Sequence, residues 1–144
     1  MQVPLFRFTL APHYRRLVAA IERVVASGRF ILGPEVEAFE REFADYVGAR
    51  HCVGVANGTE ALMLSLRALG VGPGDDVVVP SFTFYASAEA VAAIGARPVF
   101  CDIDPTTFCL TPETVRSALT ARTRAIVAVH LFGYPAPVEE LAEF

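Results

Sequence analysis

The stretch Val55-Ala56-Asn57-Gly58-Thr59-Glu60-Ala61-Leu62 joins a short apolar run to a helical pattern. A helix that starts here offers uncommitted backbone N–H groups and the positive end of its dipole. Gly58 lets an anion approach the backbone and Thr59 adds a hydroxyl, so the turn can hold a phosphate. Ordinary capping by Asn57, with no ligand, explains the same residues. Neither a GxGxxG fingerprint nor a P-loop with its Lys is present, so the common nucleotide motifs are absent.

A second segment, Pro80-Ser81-Phe82-Thr83-Phe84-Tyr85-Ala86-Ser87, falls at another strand-to-helix turn. In an open α/β sheet such turns share the carboxyl edge, where ligands bind. Three aromatics there can offer a ring face to a flat cofactor, or simply pack as core. His130, at the end of a later apolar run, reaches the same edge and has either a ligand or a structural hydrogen bond as its purpose. Asp102 and Asp104 sit two apart, but Asp104-Pro105-Thr106 reads more simply as a turn opener than as a metal site. Cys52, Cys101 and Cys109 lack metal-ligand spacing and read as small apolar residues in a reducing compartment. All twelve basic residues are Arg and no Lys occurs, which limits amine chemistry more than any other feature.

The elements that must position these groups follow from periodicity. Residues 12–27 carry Leu17, Val18, Ile21, Val24 and Val25 at helical spacing before Gly28. Gly33-Pro34-Glu35 opens a second helix with Val36, Phe39, Phe43 and Val47 on one face. The period then alternates. Strands are expected over residues 52–56, 76–80, 98–103 and 125–131, and helices over 59–69, 84–94 and 112–121. Four apolar strands alternating with helices predict an α/β fold, a mainly parallel sheet with helices on both faces. Pro137 starts a further helix with Val138, Leu141 and Phe144 as its apolar stripe, and the sequence stops inside that pattern. An interrupted stripe predicts a piece of a longer fold, with Val138, Leu141 and Phe144 exposed until the remainder covers them.

With 144 residues, 53% hydrophobic and 19% charged, the chain is the size of one packed domain, which excludes disorder as its main state. The net charge of −4 contains no like-charged block, so no nucleic acid or anionic lipid partner is expected. The opening residues lack the pattern of a secretory leader and no apolar run is long enough to cross a membrane, so a cytoplasmic protein is expected.

Five blocks, in order, resemble the DegT/DnrJ/EryC1/StrS aminotransferases, pyridoxal-phosphate enzymes that mostly aminate nucleotide-linked keto sugars. They are Ser27 to Glu40 (SGRFILGPEVEAFE), Asn57 to Leu62 (NGTEAL), Gly74 to Phe84 (GDDVVVPSFTF), Gly95 to Asp104 (GARPVFCDID) and Val129 to Gly133 (VHLFG). The resemblance implies a fold-type I aminotransferase large domain, here incomplete. Residues 1–33 would form an N-terminal helix and a substrate-side link, and residues 34–144 the first part of the cofactor-binding domain. Gly58, Thr59 and the Glu60 amide would hold the cofactor phosphate, with the Glu60 carboxylate turned away. Phe84 would stack on the pyridine ring, and Phe30 would border the sugar substrate.

The same resemblance places the Schiff-base Lys and the Asp that pairs with the pyridine nitrogen downstream of the His130 block, so no catalytic residue and no metal ligand is expected within the chain. Its partners would be a nucleotide sugar, an amino donor and a second subunit in a homodimer. Two alternatives stay open: a non-catalytic phosphate-binding or assembly module, and a relative of the pyridoxal-phosphate sugar dehydratases, in which His replaces the Lys, although His130 is not at that position.

Overall fold

The computed structural model of the chain describes residues 12–144. The opening segment, from which no leader was expected, lies outside them. The fold separates into two compact units, Met1–Gly54 and Val55–Phe144.

In the first unit, helix α1 spans Tyr14–Ser27 and ends where Gly28 takes a left-handed φ of 65°. Helix α2, Pro34–Val47, begins with Pro at its first turn and two acidic residues, Glu35 and Glu37, that complement the dipole. The Arg23 guanidinium donates to both carboxylate oxygens of Glu35, at 2.8 and 3.2 Å, tying the two helices together. Both partners are exposed, so the pair orients the helices more than it stabilises them.

The second unit contains the sheet. Its elements are α3 (Gly58–Ala68), β1 (Asp76–Pro80), α4 (Ala86–Ala93), β2 (Arg97–Cys101), α5 (Pro112–Ala118), β3 (Thr123–Ile126) and a short α6 (Val138–Leu141). The strands are parallel in the order β2-β1-β3, which leaves β1 in the centre and fully buried along its length. Alternation along β1 sends Val77 and Val79 to one face, against Leu66 of α3 and Val91 of α4. Val78 faces the other side, against Leu110, Val115 of α5 and Leu141 of α6. The expected parallel sheet with helices on both faces is present.

Two expectations need correction. Residues 52–56 form no strand. Val53 is 78% exposed, and the Gly54 N–H donates to the Glu40 carboxylate at 2.7 Å rather than to a ladder. An apolar run becomes a strand only where a neighbour supplies the complementary carbonyls and amides, and none does so among the described residues. The second correction concerns the stripe of the last helix. Val138 and Phe144 are half-exposed as expected, but Leu141 is only 6% exposed, because it packs into the Val78 cluster.

The amino edge of the sheet is locked by one carboxylate. Asp76, 1% exposed, accepts from the Arg97 guanidinium at 2.8 and 2.6 Å and from the Thr120 hydroxyl at 2.6 Å, with the Arg122 guanidinium 3.5 Å away. These donors reach in from the start of β2 and from the turn that precedes β3, the two neighbours of β1. The Arg97 and Thr120 hydrogen bonds hold the carboxyl far below the usual carboxylate range. A depressed folded-state pKa contributes stability that is present above the unfolded value, near pH 4, and is lost as the pH falls below it. Asp76→Asn in the protein that carries this chain is expected to lower the thermal midpoint by about 5 °C or more at pH 7. That deficit should shrink between about pH 5 and pH 3. An equal deficit at both ends of the range would show that the charge of Asp76 is not what matters.

Candidate functional site

Helix α3 begins where the sequence placed the anion turn. Asn57 has extended backbone geometry, and its side chain accepts from the Glu60 N–H at 2.9 Å. Capping is therefore real, and it commits the Glu60 amide that was expected to face a phosphate. It does not commit the others. The N–H groups of Gly58 and Thr59, in the first turn, have no intrahelical acceptor. A Cβ at Gly58 would meet nothing within 4 Å, so no neighbour crowds the backbone there. The Thr59 side chain is half-buried beside it, while Glu60 is exposed. Two amides, one hydroxyl and a helix dipole are the groups with which a helix start can hold an anion.

The aromatic segment leaves the carboxyl end of β1. Phe82, Phe84 and Tyr85 are 49%, 75% and 70% exposed, so none of the three serves mainly as core. Hydrogen bonds hold the loop that carries them. The Ser81 N–H donates to the Cys101 carbonyl at 2.8 Å, and the Ser81 hydroxyl donates to the Asp102 carboxylate at 3.2 Å. The hydroxyls of Thr83 and the buried Ser87 meet at 3.2 Å. Phe84 is thus exposed at the edge where a parallel sheet binds ligands. Helix α3, which starts at the Asn57-Gly58-Thr59 turn, packs on α4, which the aromatic segment opens.

The remaining candidates find structural uses. The Ala136 N–H donates to His130 Nδ1 at 2.9 Å, closing the loop that contains the 3-10 turn Leu131–Gly133. This bond fixes the tautomer with the proton on Nε2. Asp104 accepts from the amides of Thr106 and Thr107 and from the Thr107 hydroxyl, which holds its carboxyl below the usual range. It is a turn opener, and no group of residues suited to a metal ion occurs among the described residues. Cys101 is buried and its thiol is pushed up by that burial, which makes it inert. Phe30, in the other unit, is 71% exposed on the link between α1 and α2. It borders a pocket of about 270 Å³ together with Arg23, Arg29 and Pro34.

Sequence reasoning found the turn and the aromatics but missed the links that hold them. The Ser81–Asp102 and Thr83–Ser87 contacts join residues that no local pattern distinguishes from polar side chains turned to solvent. Only the hydroxyls at positions 81, 83 and 87 hinted at them.

Residues 14–144 match the DegT/DnrJ/EryC1/StrS aminotransferase family. A UDP-2-acetamido-2-deoxy-3-oxo-D-glucuronate aminotransferase from Pseudomonas aeruginosa is 52% identical over 118 residues, which is 82% of this chain and 33% of that protein. A dTDP-3-amino-3,4,6-trideoxy-alpha-D-glucose transaminase from Streptomyces venezuelae is 53% identical over 87% of the chain and 33% of its own length. Among solved structures, S. venezuelae DesV, in complex with a ketimine intermediate, superposes with a TM-score of 0.89 at 49% identity, over 99% of this chain and 39% of that one. Bacillus subtilis NtdA with bound cofactor PMP gives a TM-score of 0.90 at 33% identity, over 99% of the chain and 33% of its own. The chain spans about a third of the length of the curated relatives it matches.

Proposed function

The chain belongs to the DegT/DnrJ/EryC1/StrS aminotransferase family, whose members depend on pyridoxal phosphate, and from that premise we propose that it is the N-terminal, cofactor-phosphate-binding part of an enzyme that aminates a nucleotide-linked keto sugar. Its fold is the incomplete large domain of a fold-type I aminotransferase. The observation that carries the functional reading is the helix start at Gly58 and Thr59, with two uncommitted amides and no neighbour crowding the Gly58 backbone.

Gly58 and Thr59 hold the cofactor phosphate through backbone N–H groups and the Thr59 hydroxyl. Glu60 contributes through its place in the first turn rather than through its amide, which Asn57 occupies. Phe84 covers one face of the pyridine ring and keeps water from it. Phe30 borders the sugar. When bound, pyridoxal phosphate supplies the electron-withdrawing ring on which amino-group transfer depends. No side chain here supplies the amine that anchors that ring, since no Lys occurs. The amine, and the acid that pairs with the pyridine nitrogen, come from the remainder of the full-length enzyme. That enzyme takes an amino donor and a nucleotide sugar, works in the cytoplasm and pairs as a homodimer.

Two measurements test this. Reading the gene beyond Phe144 should show an open frame that encodes a Lys, whereas a stop codon there would favour the non-catalytic module. Thr59→Val in the full-length protein should weaken pyridoxal phosphate binding by about 1 to 2 kcal/mol, the scale of one charge-assisted hydrogen bond. Unchanged affinity would return the turn to simple capping.

A further inference from the structure

The loop that follows β2 bears directly on the one that presents Phe84. Residues 102–109 contain Asp102, which accepts from the Ser81 hydroxyl at 3.2 Å, and Phe108, whose ring lies 5.8 Å from that of Phe82 at an interplanar angle of 47°. Phe108 adopts a left-handed φ of 59°, an uncommon conformation for a bulky side chain. It persists because the Asp104 turn defines it: the Phe108 N–H donates to the Asp104 carbonyl at 2.8 Å, and the Asp104 carboxylate takes the two preceding amides. Burial does not order the 81–85 loop, since its three aromatics are exposed. What orders it is a short set of contacts, of which one polar and one aromatic come from residues 102–109.

We propose that Asp102 and Phe108 are positioning residues that fix the orientation in which Phe84 meets the cofactor ring. This rests on the reading of Phe84 as the stacking residue. Asp102 holds the first residue of the loop through Ser81, and Phe108 holds the second through Phe82. Phe84, two residues further on, is then left with little freedom before Ser87 is fixed by Thr83. Strain at Phe108 serves this purpose, because a relaxed φ there would swing the ring away from Phe82. Neither residue touches the cofactor itself.

The test uses the full-length enzyme and pyridoxamine phosphate, which binds without a covalent link. Asp102→Ala and Phe108→Ala should each weaken binding about 3- to 10-fold and reduce the circular dichroism of the bound cofactor's absorption band. Asp102→Asn, which keeps an acceptor oxygen, should restore both to within about 2-fold of the parent. Phe108→Leu, which preserves bulk, guards against a variant that fails to fold and should also reduce the dichroism signal while melting normally. The deciding measurement is a double-mutant cycle with Phe84→Ala. If Asp102 acts through Phe84, Asp102→Ala costs nothing further in the Phe84→Ala background. Fully additive losses would overturn the positioning role while leaving Phe84 as the stacking residue. An unchanged affinity for Phe84→Ala alone would overturn the stacking reading, and the role of Asp102 and Phe108 with it.

Discussion

Borohydride reduction of the full-length holoenzyme, followed by peptide mapping, is expected to leave every internal residue of this chain unlabelled. Only a primary amine forms the linkage that borohydride traps, and the twelve basic side chains here are all Arg, which stays protonated and unreactive. The label should appear on a Lys outside residues 1–144, and the effect is all or none. A cofactor-bearing peptide from within residues 2–144 would refute the division of labour proposed above. Modification of the Met1 amine would not, because a terminal amine reacts with any free aldehyde.

Gly58→Asp should separate cofactor binding from stability. An acidic residue in the first turn of α3 suits the dipole, and a Cβ at this position meets no neighbour within 4 Å, so the folded state should lose little. The same carboxylate would stand against the phosphate. Like charges brought together in a binding site cost several kcal/mol, so affinity for pyridoxamine phosphate should fall by about 100-fold. Titration calorimetry beside a thermal melt would check both halves. A variant that binds as well as the parent would move the phosphate away from Gly58. A variant that melts early would mean that Gly58 is needed for the backbone rather than for the ligand.

Local chemistry made part of this molecule legible before any coordinates. Gly33-Pro34-Glu35 announces a helix start, and α2 begins at Pro34. The Val77-Val78-Val79 run is a strand buried on both faces, and β1 is that strand. Asn57-Gly58-Thr59 marks a helix start with a cap, and the cap is made. These features depend on residues close in the chain, whose preferences act through backbone geometry and short-range hydrogen bonds, so periodicity and residue type suffice. The absence of Lys is likewise a property of the sequence alone, and it determines which half of the chemistry this chain can carry.

Tertiary structure decided the rest. Residues 52–56 have the composition of a strand, yet their amides find no ladder among the described residues and Gly54 turns to Glu40 instead. Leu141 has the spacing of an exposed stripe, yet packs against Val78. Asp76 looks like any acidic residue before a strand, until Arg97, Thr120 and Arg122 converge on it from two other strand starts. Asp102 and Phe108 acquire their contacts with Ser81 and Phe82 only when β1 and β2 lie side by side. In each case the deciding partner is distant in sequence, and whether a hydrogen bond or an apolar contact forms depends on which surfaces the fold brings together.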